Sequence, residues 1–255
     1  MAVENDLQLY ARAMRRERVF RDRGNPLEMS DEELMERFRF SQRGISFLVD
    51  LLNEQLTNIT DRSFAVPTVL CITTALHFLA SGCFQRITGD SFHIGLSQPT
   101  VSVCITKFLR AILSFTNTFI KFPVTEDEIR KNSVAFYNMK KIPKIIGLID
   151  GTHIRIISPA ANEDHYVNRK GFHSINVQII CNHMDRIINI VAKWPGSVHD
   201  STILRQSPLW QYFEEPNQGI QRGMLLGDSG YPCKNWLLTP YREPLASRKQ
   251  ELFNR

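Results

Sequence analysis

The chain has 255 residues, 43% of them hydrophobic, enough to bury a sizeable core in one large domain or two of ordinary size. A formal net charge of +5 and an isoelectric point near 9.0 are compatible with a nucleic-acid partner and equally with many proteins that have none. The five cysteines, Cys71, Cys83, Cys104, Cys181 and Cys233, are scattered, odd in number and without a C-x-x-C pair, which argues against a disulfide framework or zinc finger and for a reducing compartment.

Glu4 and Asp6 precede the first apolar residues and no hydrophobic signal core follows, so secretion is not expected. Arg12, Arg15, Arg16, Arg18, Arg21 and Arg23 are interleaved with Glu17 and Asp22, as on a solvated helix face; nuclear import or DNA contact is the alternative. Ser30-Asp31-Glu32-Glu33 is a capping box that starts a helix, and a second helix begins near Ser41 with Ile45, Leu48, Val49, Leu51 and Leu52 on one face. Pro67 suits the first turn of a helix running to about Ser81, because its missing amide hydrogen costs nothing there. The apolar stretch 69–84 carries Thr73, Thr74, His77 and Ser81 and is too short to cross a bilayer, so it is expected as a core helix with no membrane partner.

Residues 87–110 read as a short helix, a turn at Gly95 and a longer helix capped by Ser97. That is the outline of a helix-turn-helix, whose second helix would offer Gln98, Thr100, Ser102, Lys107 and Arg110 to DNA. An ordinary αα-hairpin in a small bundle would show the same polar face. Two cations on the helix promise only weak, salt-dependent DNA affinity.

Phe122-Pro123-Val124-Thr125 breaks the helical pattern, which places an all-α, helix-turn-helix-like domain over 1–121 and a second domain over 122–255. Thr125 and Glu128 form another capping box, for a helix ending near Lys141. The texture then turns to strands. Residues 144–150 form an apolar, β-branched run that ends in Asp150 and is expected to close in a turn at Gly151. Residues 174–182 and 187–194 read as a hairpin about Met184-Asp185-Arg186. Pro195 and Gly196 end its second strand, a helix starts near Asp200, and Met224-Leu225-Leu226-Gly227-Asp228 repeats the design of the first strand. In such a meander the first and third strands run in the same direction, and a helical crossover returns the fourth parallel to them. Asp150, Asp200 and Asp228 then gather at one sheet edge. Without a neighbouring Arg or Lys in their own motifs, they would repel one another unless divalent cations held them. His153 and His199 adjoin these motifs and could orient an acid or touch a phosphate, or be ordinary turn histidines.

Four ordered motifs carry a resemblance: Leu148-Ile149-Asp150-Gly151-Thr152-His153, the segment from Tyr166 through Asn168-Arg169-Lys170-Gly171 to Ser174, Trp194-Pro195-Gly196-Ser197-Val198-His199-Asp200-Ser201, and Leu226-Gly227-Asp228-Ser229-Gly230-Tyr231. Together they resemble the DDE nuclease domain of PIF/Harbinger transposases, over a stretch from about Ser30 to the last residue. The resemblance implies an α/β, ribonuclease-H-like domain with a mixed sheet behind the helical domain. It implies a metal-dependent nuclease acting on DNA with Mg²⁺ or Mn²⁺, in nucleus and cytoplasm, beside a Myb/SANT-like DNA-binding partner, and leaves room for a homo-oligomer. Asp150, Asp200 and Asp228 become the metal ligands, with Asp150 and Asp228 the stronger pair and Asp200 a third ligand or close neighbour. By their own setting, Asn168, Arg169 and Lys170 lie in a polar loop ahead of the second strand and could contact backbone phosphates, a solvated loop being the alternative.

The family's final glutamate lies beyond an Asn-Arg-His-like pattern; Phe253-Asn254-Arg255 matches only its start and Glu251 precedes it. The sequence is therefore read as C-terminally shortened, with weak or absent catalysis expected. The alternative function is a non-catalytic DNA- or protein-binding descendant. A haloacid-dehalogenase-type phosphatase, suggested by Asp150-Gly151-Thr152, is set aside because Leu148 stands where its nucleophilic aspartate is needed.

Overall fold

A computed structural model describes residues 21, 23–57, 64–215, 222–241, 244–245 and 247–254. Arg12, Arg15, Arg16 and Arg18 of the basic cluster lie outside the described residues. The chain divides into two compact units, Met1–Thr116 and Asn117–Arg255.

In the first unit, α1 (Asp31–Phe38) opens on the expected capping box: Ser30 Oγ accepts from the Glu33 amide at 3.3 Å, and Glu33 Oε2 accepts from the Ser30 amide at 3.1 Å. Helix α2 (Gln42–Leu56) buries Ile45, Leu48, Leu52 and Leu56 along one stripe. Helix α3 (Thr68–Ser81) takes Pro67 as its N-cap rather than in its first turn, and is buried without a break from Leu70 to Leu76. The buried hydroxyls of Thr73 and Thr74 donate back to the Val69 and Leu70 carbonyls at 2.9 and 2.6 Å, so these two side chains are satisfied within the helix.

Helices α4 (Gln85–Asp90) and α5 (Gln98–Leu113) form the expected hairpin, with Gly95 at φ 57°. Its closeness depends on Gly89, where a Cβ would lie 2.3 Å from the Leu96 carbonyl oxygen. Ser97 holds the N-cap position of α5 without capping it, because its hydroxyl pairs with that of Thr100 at 2.9 Å.

The second unit opens with α6 (Glu126–Lys140), whose Thr125–Glu128 capping box is intact. Five strands follow in the spatial order β3-β2-β1-β4-β5: β1 (Ile145–Arg155), β2 (Ser174–Cys181), β3 (Ile187–Pro195), β4 (Met224–Gly227) and β5 (Leu237–Leu238). Strands β1, β2 and β3 are mutually antiparallel, while β4 runs parallel to β1 and β5 parallel to β4. This is the mixed, ribonuclease-H-like sheet that the resemblance implies. The β2–β3 turn is held by Asn182, whose Oδ1 accepts from the Met184 and Arg186 amides at 2.9 and 3.1 Å. Helices α7 (Asp200–Arg205) and α8 (Pro208–Glu214) form the crossover to β4, and a short α9 (Arg248–Phe253) follows β5. The core joins Ile146, Ile149, Ile180 and Leu225 to Leu204, and to Phe213 stacked on Trp236 at 4.7 Å.

The first strand also departs from expectation. Strand β1 does not close at Gly151 but continues to Arg155, because β2 keeps pairing with it from Gly151↔Gln178 to Arg155↔Ser174. The glycine signal was local and the pairing is not. Among the described residues no helix is long and apolar enough to cross a membrane.

Candidate metal and phosphate site

The pairing of β4 with β1 ends at Ile149↔Gly227, so the next residues, Asp150 and Asp228, leave the parallel ladder at the same level. Each carboxylate is exposed and ties down its own turn of chain. Asp150 Oδ1 accepts from the Gly151 amide at 2.8 Å, and Asp228 Oδ1 from the Gly230 amide at 2.9 Å. Alternation along β1 puts Leu148, Asp150, Thr152 and Ile154, all exposed, on one face of the strand and Ile149, Gly151 and His153 on the other.

Asp200 comes to that second face. It is the first residue of α7, and its carboxylate lies over Gly151 so closely that a Cβ there would meet Oδ1 at 2.3 Å. Asn176, on β2 and only 2% exposed, holds it: Nδ2 donates to Asp200 Oδ1 at 2.8 Å and to the Val198 carbonyl at 2.9 Å. Gly151 thus serves proximity rather than a turn. Asp200 meets Asp228 around Gly230, where a Cβ would stand 3.0 Å from Asp228 Oδ1 and 3.7 Å from Asp200 Oδ2. The two acids line an open depression with Arg169, His199, Ser229 and Gly230.

The lining changes the electrostatic picture drawn from the motifs. A cation absent from the acids' own segments is supplied by a distant loop. Val167 bridges to His173, Gly171 turns at φ 76°, and Asn168 Oδ1 accepts from the Lys170 amide at 2.9 Å, leaving Arg169 and Lys170 exposed at the tip. Asn168, expected among the phosphate contacts, is 4% exposed and builds the loop instead. Its Nδ2 donates to Ser174 Oγ at 2.9 Å, and that oxygen lies 3.1 Å from His153 Nδ1. His153 is therefore engaged by Ser174, and shares a narrow crevice with Arg169, Asn176, His199 and Asp200.

The motifs paired Asp150 with Asp228; the depression pairs Asp200 with Asp228, and Asp150 stands beside Asp228 on the sheet's open face. Among the described residues no three His, Cys, Asp or Glu side chains converge to cage a metal ion. The two carboxylates fit a hard divalent cation completed by water or substrate oxygens, which is the ordinary manner of Mg²⁺.

Sequence reasoning missed Asn176 and Ser174. Their signal was present: Ser174, Asn176 and Gln178 recur with period 2 in an apolar strand and are all buried, an arrangement that packing alone does not call for.

In the helical unit, Gln98, Lys107 and Arg110 are exposed and Thr100 is half-buried. Gln98 donates to Gln85 at 3.0 Å and Thr100 is paired with Ser97. Val103 and Leu113 interrupt the polar face with exposed apolar surface.

The profile of a family described as "DDE superfamily endonuclease" matches residues 149–255, which contain all three acids. The Bos taurus protein named "Putative nuclease HARBI1" is 37% identical over 240 residues, 94% of this chain and 66% of its own length. Its Xenopus laevis counterpart is 34% identical over 239 residues, covering 94% of this chain and 67% of that protein. The Arabidopsis thaliana "Protein ALP1-like" is 28% identical over 238 residues, 86% of this chain and 57% of its own. The chain thus spans about two thirds of the length of the animal relatives. No solved structure matches it.

Proposed function

The chain belongs to the PIF/Harbinger-type DDE superfamily endonucleases, and from that premise we propose that its sheet unit binds a divalent cation and hydrolyses DNA phosphodiester bonds. The observation that carries this reading is the convergence of Asp200, from the start of α7, and Asp228, from the end of β4, on one open depression with Arg169. Mg²⁺ or Mn²⁺ bound there would activate the attacking water and stabilise the leaving 3′ oxygen of an in-line displacement.

The chain's own residues have separate tasks. Asn176 fixes the orientation of Asp200, and Gly151 leaves the room for it. Asp150 is read as a further ligand next to Asp228 where the parallel ladder ends, on the strand face opposite the one that Asp200 covers. Arg169 and Lys170 neutralise the substrate backbone beside the acids. Gln98, Thr100, Lys107 and Arg110 add weak, salt-dependent duplex contacts. Site selection then falls to a Myb/SANT-like partner, and the work is done in nucleus and cytoplasm.

A second reading, a non-catalytic DNA- or protein-binding role, is favoured by one observation, that no three acids converge among the described residues. Plasmid nicking with Mn²⁺ separates the two. The nuclease reading expects weak nicking by the wild-type chain that Asp200→Asn and Asp228→Asn each abolish. Wild-type DNA retention without nicking supports the second reading, and undiminished nicking by both variants places the activity outside this site.

A further inference from the structure

We propose that Tyr231 is a positioning residue of this site: its buried phenol donates a hydrogen bond to the Asp200–Asp228 pair when a divalent cation draws the carboxylates together. This rests on the metal-site reading above.

Tyr231 is 2% exposed and packs in the sheet core with Ile149, Leu225 and Trp236, yet its hydroxyl has no hydrogen-bond partner. A buried phenol without an acceptor is a cost that phenylalanine would avoid at the same packing volume. Its backbone and ring lie against the segment that carries Asp228. The Tyr231 amide donates to the Asp228 carbonyl at 3.2 Å, which folds the chain back beneath the acid. A Cβ at Gly227 would touch the ring at 3.1 Å, so the ring lies against the last residue of β4, one step before Asp228 and level with Ile149.

The hydroxyl lies in the field of all three acids. Burial first, then the negative charges of Asp200, Asp150 and Asp228, push its pKa well above the ordinary phenol range. At neutral pH a phenol keeps its proton and can donate. Asn176 and the Gly230 amide engage Oδ1 of Asp200 and Oδ1 of Asp228, and neither bond uses the second oxygens. Asp200 and Asp228, holding a cation, would leave a lone pair on their second oxygens for the phenol, the kind of outer contact that raises metal affinity without touching the metal.

The test compares the wild-type chain with Tyr231→Phe, which keeps the ring and its packing. Mn²⁺ is titrated into each by calorimetry, and thermal unfolding is followed in chelator and in Mn²⁺. The expected result has opposite signs in the two measurements: an unchanged or higher melting temperature without metal, and Mn²⁺ affinity lower by roughly 10-fold or more. The stabilisation by Mn²⁺ shrinks accordingly. Equal Mn²⁺ affinity in the two proteins, with a lower metal-free melting temperature for the variant, makes the phenol a structural group and overturns the proposal alone. A wild-type chain that takes up no Mn²⁺ overturns the metal-site reading and this proposal with it.

Discussion

Buried polar groups are settled differently in the two units. In the helical unit, Thr73 and Thr74 return their hydroxyls to carbonyls three or four residues back on their own helix, and Thr88 pairs its hydroxyl with Cys83 five residues away. In the sheet unit, Asn168 reaches Ser174, which lies against His153, and Asn176 reaches across to Val198 and Asp200. Gln178, fully buried on the same face of β2, has neither amide atom hydrogen-bonded, and Asn176 Oδ1 and the Tyr231 hydroxyl are likewise open. Polar burial that closes on its own helix secures that helix. Unpartnered atoms occur in the helical unit too, at Arg23 Nε and His77 Nδ1, so the distinction lies in the linkage: polar burial that joins distant segments and ends on a carboxylate is expensive for a fold alone, and suits a place where something else binds.

Two glycine substitutions should separate the units most widely. At Gly89 a new Cβ meets the Leu96 backbone carbonyl, which cannot yield without opening the α4–α5 hairpin. Gly89→Ala is expected to cost ~1–3 kcal/mol, read as a fall in melting temperature, with Mn²⁺ affinity unchanged. At Gly151 the Cβ meets the far end of the Asp200 side chain. Gly151→Ala should fold nearly normally and lose Mn²⁺ affinity as severely as Asp200→Asn. If the two substitutions act alike in both assays, the contrast between the units is broken.

Asn176→Ala removes the donor shared by Asp200 and the Val198 carbonyl and should cost about 1–3 kcal/mol, together with several-fold weaker Mn²⁺ binding. Thr74→Val removes a bond to its own helix and should cost about 1 kcal/mol with no effect on metal. Melting in chelator beside calorimetry reads both. A smaller difference is expected in DNA binding. Lys107→Ala, Arg110→Ala and Arg169→Ala should each lower the salt dependence of duplex affinity by about one unit of slope, while Arg169→Ala alone also reduces nicking.

The smallest effect should be common to both units. Hydrogen bonds from the Ser30 amide and hydroxyl hold Glu33 below the ordinary glutamate range, and those from the Thr125 amide and hydroxyl and the Val124 amide do the same for Glu128. A depressed carboxyl pKa contributes stability that is complete above the unfolded value and lost as pH falls through the folded one. Glu33→Gln and Glu128→Gln should therefore each slightly flatten the acid limb of the stability curve and leave neutral pH nearly untouched. Melting temperatures between pH 7 and pH 3 check this.

Local signals carried most of the fold. The capping boxes at Ser30 and Thr125 and the hairpin turn at Asn182 each depend on residues within five positions, and a sequence shows such neighbours directly. Gly151 misled because its neighbour in space, Asp200, is far away in sequence, so a glycine needed for close approach looked like a turn. Strand β5, two residues long and defined by pairing with β4, carries no periodicity to detect. Within the site, the three acids and Arg169 were legible as residues and the acids' gathering at one sheet edge was legible from topology, but which two of them share a depression was not. The pairing of Asp200 with Asp228 depends on where α7 starts over β1, and the burial of Asn168, Asn176 and Tyr231 depends on strands arriving from both sides.

The central claim is that a divalent cation binds at Asp200 and Asp228. Paramagnetic broadening by substoichiometric Mn²⁺ in amide NMR spectra of the whole chain tests it most directly. The account predicts selective loss of the Gly151, Asp200, Thr202, Asp228 and Gly230 resonances, reversed by excess Mg²⁺. Broadening centred on the exposed acids at the starts of α1 and α6, or spread evenly over both units, would contradict it.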